Sequence, residues 1–188
     1  MNRFILSTDP VEAAQMHCDK HVVKMILEEA QMLSTAHRVL DGTMRIEERY
    51  VQGSLPARFR KVKKWVHPNP DLDAVLYQAT HINHPCAAWS RVCRDNYLWG
   101  YELLDNLCSE YTYRYGKTHV VETKLLDVLS HPPRHIQYGQ ILTDFPQAMP
   151  DECKLDNPVE AYRKYYIEKK ARFAKWTNRP QPNWWPNS

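Results

Sequence analysis

The sequence predicts an all-α protein, one compact domain of about five or six helices joined by long Pro-rich connections. Three observations carry this reading. Apolar residues recur at helical spacing across residues 13–33 and 86–115, proline or glycine punctuates each such stretch, and no alternating run closes on a tight hairpin turn. A chain of 188 residues suits a single unit over 1–188 with a sizeable core.

The elements follow in order. "RFIL" is a short apolar run that reads as an extended segment, and "STDPVEAAQ" then offers Ser7, Thr8 or Asp9 as N-cap with Pro10 as the first helical residue. A helix is expected from about 10 to 40, closed by Gly42. Residues 43–70 hold Gly53, Pro56, Pro68 and Pro70 and read as an irregular connection with room for one short helix. "DLDAVLYQAT" is a short helix. His84 is pushed out of the α region by Pro85, which opens a helix to Tyr115 that stops at Gly116, with Trp89, Tyr97, Tyr101, Leu104 and Tyr111 as packing residues. A further helix covers 118–129 until "HPPRH" breaks it, and "TDFPQAMPDEC" is a loop. The last helix spans 158–176, capped by Asp156 or Asn157 with Pro158 inside it.

Net charge is only +3, yet the cations are clustered. "PARFRKVKKWVHP" carries Arg58, Arg60, Lys61, Lys63 and Lys64 without an acid, and residues 159–179 carry seven basic residues against Glu160 and Glu168. Such patches suit a polyanionic partner, DNA or a phosphorylated nucleotide. Nothing approaches the roughly 18 apolar residues of a membrane span, so no membrane partner and a cytoplasmic location are expected, while self-association is left open. Five cysteines without a C-x-x-C read as buried free thiols. The scattered glycines exclude a phosphate loop, and no cofactor is expected.

The chemistry concentrates in "AAQMHCDKHVVKMILEEAQ", where His17, Lys20, His21, Lys24, Glu28 and Gln31 share one stripe of an otherwise apolar helix. Lysine, histidine and a carboxylate together serve Schiff-base and general acid–base chemistry or hold a phosphate, so Lys20, His21, Lys24 and Glu28 are the candidate catalytic group. His17, Gln31, His81, His84, Arg91, Arg114, Lys117, Lys169 and Arg172 are the candidate substrate contacts. The spacings His17-x-x-x-His21 and His81-x-x-His84 lack a cysteine pair or matching acid motif, so hydrogen-bonded histidines are expected there, not a metal.

The segments "STDPVEAAQMHCDKHVVKMILEEAQML", "THINHPCAAW", "EYTYRYGK" and "FPQAMPDE" resemble a family of small phage-borne proteins described as similar to pyrimidine-dimer DNA glycosylases of the endonuclease V type. Ala13-Ala14-Gln15-Met16-His17 and the aromatic, basic "YRKYY" and "RFAKW" carry the likeness to the glycosylase itself. The resemblance implies a helical protein of the host cytoplasm that acts on a damaged or modified pyrimidine, with its amino terminus as nucleophile and an acid on the first helix. Two departures stand out. Asn2 after Met1 discourages removal of the methionine, and the expected glutamate falls near His21, with Lys24 at a phosphate-binding position and Glu28 two turns along. The alternative is a non-catalytic protein that sequesters a phosphorylated nucleotide, such as a host immune signal.

Overall fold

Asparagine or aspartate followed by proline starts three of the helices. Asp9, Asn69 and Asn157 each accept from two backbone amides beyond their proline, setting α1 (Pro10–Met16), α3 (Pro70–Val75) and α7 (Pro158–Lys170). Proline removes a donor that would have been orphaned, and the cap oxygen takes two others. His84 does the same for α4 (Pro85–Trp89), its Nδ1 accepting from Cys86 N. In the computed structural model, which describes residues 1–53 and 58–186, the long helices α2 (Asp19–Asp41) and α5 (Arg94–Tyr115) lie against each other, and α1 lies on α5. A π-helical turn (Glu122–Leu126) runs into α6 (Asp127–Leu129). Gly116, at φ +63, ends α5 in the left-handed conformation that glycine adopts most readily, as the sequence predicts. All five cysteines are free and buried. No helix among the described residues is long and apolar enough to cross a membrane.

The all-α expectation is overturned. Residues 43–66 form an antiparallel ribbon, β1 (Thr43–Tyr50) with β2 (Phe59–Val66), in register from Thr43 opposite Val66 to Tyr50 opposite Phe59. Its residues are largely exposed, Ile46 and Phe59 more than 60% so. With neither face buried, the strands carry none of the apolar alternation that marks a strand in sequence. Pro56, one of the signals for an irregular connection, lies outside the described residues.

Three of the expected helices also differ in extent. The helix expected over 10–40 breaks at His17–Cys18 without glycine or proline, His17 being extended at ψ 134. The carbonyls freed at the break are taken by distant donors: Arg114 Nη1 to His17 O (2.8 Å), Arg114 Nη2 to Gln15 O (2.9 Å) and Trp176 Nε1 to Met16 O (2.9 Å). The helix expected over 86–115 divides into α4 and α5, and the last ends at Lys170, followed by a 3-10 turn (Ala171–Phe173).

Residues 1–7 run between these helices, with Arg3, Phe4, Ile5 and Leu6 all buried. Arg3 Nε bonds both Glu29 oxygens (2.9 and 3.0 Å) and Nη2 completes the pair with Oε2. The guanidinium lies over the Trp89 ring at 5.1 Å and the Trp99 ring at 5.8 Å. A Cβ at Gly100 would stand 2.6 Å from Arg3 Nη2, so α5 passes the arginine only because position 100 has no side chain. Glu29→Gln leaves the Arg3 charge buried without its partner and is expected to cost about 3–5 kcal/mol, whereas Arg3→Met with Glu29→Leu costs much less than that single change. Urea unfolding midpoints of the two variants check this.

Candidate functional site

Successive helical residues point about 100° apart, so Glu28 and Glu29 of α2 serve different neighbours. While Glu29 holds Arg3, Glu28 receives the start of the chain: the Met1 amino group stands 3.5 Å from Glu28 Oε1, and the Asn2 amide donates to Oε2 at 2.8 Å. Lys24, one turn earlier, brings Nζ to 3.1 Å from the same Oε1. The carboxylate is 7% exposed as a residue, but the Lys24 side chain is 59% exposed, so the cluster is sunk on one side and open on the other. Asn2 Nδ2 donates to Ala148 O (3.0 Å), and Met1 lies against the Met32, Cys86 and Ala87 cluster. These contacts fix the amino end laterally.

His84 sits at the edge of this group. Burial first, then the positive amino end and His81, hold its imidazole below the ordinary range. His81 occupies the left-handed region at φ +48, and the amide of the preceding Thr80 donates to Thr35 Oγ1 (3.2 Å) on α2. Thr35 Oγ1 in turn donates to Gln31 O (2.7 Å), so half-buried Gln31 lies where the 80–84 loop meets the helix. Arg91 donates to Ala87 O (3.0 Å), one turn from the pair on which Met1 rests. An amine in contact with a carboxylate able to take its proton, beside a second amine and a neutral imidazole, is equipped for Schiff-base formation.

The other expected site residues have different fates. His17 and His21 do not join the cluster. His17 is wholly buried with Nδ1 2.6 Å from Ala13 O, and His21 stacks on Phe4 at 4.5 Å with Nδ1 against Tyr166 Oη. The break at His17–Cys18 and the aromatic rings of α7 draw both imidazoles into the core. Arg114 is likewise internal, shared among Glu110, Asp19 and the carbonyls of the break. Lys169 pairs with Glu152 at 3.2 Å. Lys20 and Arg172 both lie over the Phe173 ring, at 5.4 and 5.8 Å, and form an exposed cationic edge near the start of α2. Lys117 is exposed on the turn after α5.

Two features go beyond the sequence reading, which gave the basic run at 58–64 but neither its pairing with Arg45 and Arg49 nor a cleft at the end of α2. On one face of the ribbon, Arg45 stands opposite Lys64 and Arg49 opposite Arg60, with a single Glu47–Lys64 bridge at 3.1 Å. Like charges placed directly across a strand pair destabilise it, so this face concentrates positive charge at a cost to the ribbon. Second, a cleft of about 690 Å³ opens beside His37, Asp41 and His67, about 14–20 Å along α2 from Glu28. The lining histidines come from three separate segments, with His37, His67 and the pair in "HPPRH", and the last of these read as a helix breaker. Compared with protein-family models, curated proteins and solved structures, the chain matches none.

The buried histidines make stability depend on pH. Desolvation lowers His17 to about 4 and His21, also facing His17, Lys170 and Lys24, to about 3. Both are neutral when folded and take protons when unfolded below the ordinary value of about 6.5, so stability is complete above that pH and falls as pH drops toward 4. Each contributes a slope of up to about 1.4 kcal/mol per pH unit there. Urea unfolding from pH 7 to 4.5 is expected to show the decline, and His21→Phe to make it shallower by about one proton.

Proposed function

We propose that the protein acts on a base in DNA as a glycosylase and lyase, with an amine at the Glu28 cluster as nucleophile. The observation that carries this reading is the meeting of the Met1 amino group with the Glu28 carboxylate (3.5 Å), open to solvent on the side of Lys24. The family resemblance calls for an amino-terminal amine and an acid on the first long helix; the acid that meets the amine is Glu28, not the residue at position 21. The chemistry follows from those two groups. Glu28 takes a proton from the ammonium group, the freed lone pair bonds to C1′ of the target nucleotide as the bond from C1′ to the base breaks, and Glu28 returns that proton to the departing base. The second proton lost from the attacking nitrogen goes to O4′ as the sugar ring opens to an iminium ion, and loss of a C2′ proton to the again ionised Glu28 expels the 3′ phosphate. A target held in a duplex must first be turned out of the stack, which costs a few kcal/mol and is least for a damaged base.

Exposed cations support a nucleic-acid substrate. Lys24 edges the cluster, Lys20 and Arg172 lie about two turns away near the start of α2, and the ribbon beyond the other end of α2 adds Arg45, Arg49, Arg60 and Lys64 on one face. A two-stranded ribbon has the width that a major groove admits.

Borohydride added during incubation with duplexes carrying pyrimidine dimers, uracil, hypermodified pyrimidines or abasic sites is expected to trap a covalent adduct that maps to Met1. Glu28→Gln is expected to lower its yield at least about a hundredfold, and acetylating or extending the amino end to abolish it. An adduct mapping instead to Lys24 would move the nucleophile one turn along α2. A protein that only sequesters a nucleotide gives no adduct and no abasic site, and releases its ligand unchanged on denaturation.

The ribbon makes a separate prediction. Arg49→Ala with Arg60→Ala should weaken duplex binding about equally for all sequences and reduce the slope of log K against log salt by about two, one unit per lost phosphate contact. Fluorescence anisotropy over a salt series measures it.

A further inference from the structure

The cleft at the far end of α2 contains two histidines whose inward nitrogens have no partner. His37 is 3% exposed and His67 6%, and neither His37 Nδ1 nor His67 Nε2 makes a hydrogen bond. Both face Asp41, and the nearest donor atoms of the three residues all lie within 4.8 Å of one another, His67 Nε2 standing 3.8 Å from Asp41 Oδ2. Orphaned polar atoms this deeply buried are uncommon and call for an explanation.

The surroundings prepare these atoms as ligands. The Tyr97 hydroxyl has one proton, which it gives to Leu129 O (2.9 Å), so it accepts from His37 Nε2 (2.9 Å). His37 therefore carries its proton on Nε2 and turns the lone pair of Nδ1 to the site. The His131 carbonyl comes near this ring without completing a hydrogen bond to Nδ1. Asp41 is pinned by the amides of Arg134 (2.9 Å) and His135 (3.0 Å). His67 Nδ1 lies 3.1 Å from Asn69 N and 3.4 Å from Asn69 O, so it accepts from the one, or donates to the other when Nε2 gives its lone pair to a cation. The backbone brings the three together by close approach at Gly42, where a Cβ would stand 2.4 Å from Arg38 O and 2.8 Å from Val66 O. Asp73 then holds the His67 amide at 2.8 Å.

We propose that His37 Nδ1, His67 Nε2 and Asp41 bind a divalent first-row transition metal, Zn²⁺ being the ion that two imidazoles and a carboxylate suit. Zinc bonds of about 2.0–2.1 Å in a tetrahedron separate donor atoms by about 3.3–3.4 Å, so the 3.8 Å pair is nearly in place and rotation of the imidazoles closes the rest. Three protein ligands leave the fourth position to a water molecule facing the cleft. The hydrogen bonds from His37 to Tyr97 and from the 134–135 amides to Asp41 are the outer contacts that orient ligands in such sites. This site shares no residue with the Glu28 cluster, so the two readings stand or fall separately.

The test titrates the full chain, dialysed against chelator, with Zn²⁺ by calorimetry and with Co²⁺ by visible absorption. The expected result is one ion per chain, a tetrahedral cobalt spectrum without thiolate charge transfer, and a melting temperature raised by zinc. His67→Gln and Asp41→Asn are expected to lower affinity at least about a hundredfold, and Tyr97→Phe, which frees His37 to change tautomer, by about 10–100-fold. His84→Gln, at the other histidine pair, should bind as the parent does. The proposal is overturned if the parent chain takes up no stoichiometric metal. It is overturned equally if cobalt binds with thiolate bands, or if binding survives both His67→Gln and Asp41→Asn.

Discussion

Burial of the Arg3 guanidinium is the constraint on which the placement of everything near the amino end depends. A charge with no exposed surface must be paired and hydrogen-bonded, or it costs several kcal/mol, and Glu29 with the faces of Trp89 and Trp99 supplies that environment. The pair fixes the register of residues 1–7 along α2. Since Arg3 is held by Glu29, residues 1 and 2 fall beside Glu28, and the amine–carboxylate contact follows. Gly100 belongs to the same device, because α5 closes on α2 only if nothing projects where Arg3 lies.

The nine histidines illustrate how environment assigns chemistry to one residue type. His17 and His21 are absorbed by Phe4 and Tyr166 and packed as neutral rings. His84 caps α4 through Nδ1 while facing the amino end. His37 and His67 are about as buried as the first pair and, like His17 with its Nε2, keep a nitrogen without a hydrogen bond; theirs share a cluster with the Asp41 carboxylate, and that difference separates a core histidine from a candidate ligand. Spacing along the chain gives no hint of it: the pairs His17/His21 and His81/His84 carried the ligand-like spacing, whereas the clustered trio comes from the end of α2 and the residue after β2.

Positive charge is divided in the same way between structural and outward use. Arg3, Arg38 and Arg114 are buried and spent on carboxylates and carbonyls, Arg38 alone binding Asp73 and the carbonyls of Trp65, Leu76 and Tyr77. Lys20, Lys24, Arg172 and the cationic face of the ribbon project into solvent. A net charge of +3 hides this division, since many acids are consumed internally by the buried arginines.

Local chemistry made much of the scaffold legible in the sequence. An Asx residue before proline sets a helix start, and glycine in the left-handed region ends one, because capping needs only adjacent atoms; hence the starts of α1 and α7, the stop at Gly116 and the long apolar periodicity of α2 and α5 were readable. Glu28 and Lys24 were also readable as one group, being a turn apart on one helix. Whatever depends on contacts between distant residues was decided by the tertiary structure. The break at His17–Cys18 exists because Arg114 and Trp176 supply hydrogen bonds from the other side of the core, and it removes two histidines from the stripe they share in sequence. The ribbon is stabilised by cross-strand backbone pairing with little burial, so its strands carry no apolar period to read. The start of the chain reaches Glu28, and His67 reaches Asp41, only through folding over separations that no local rule spans.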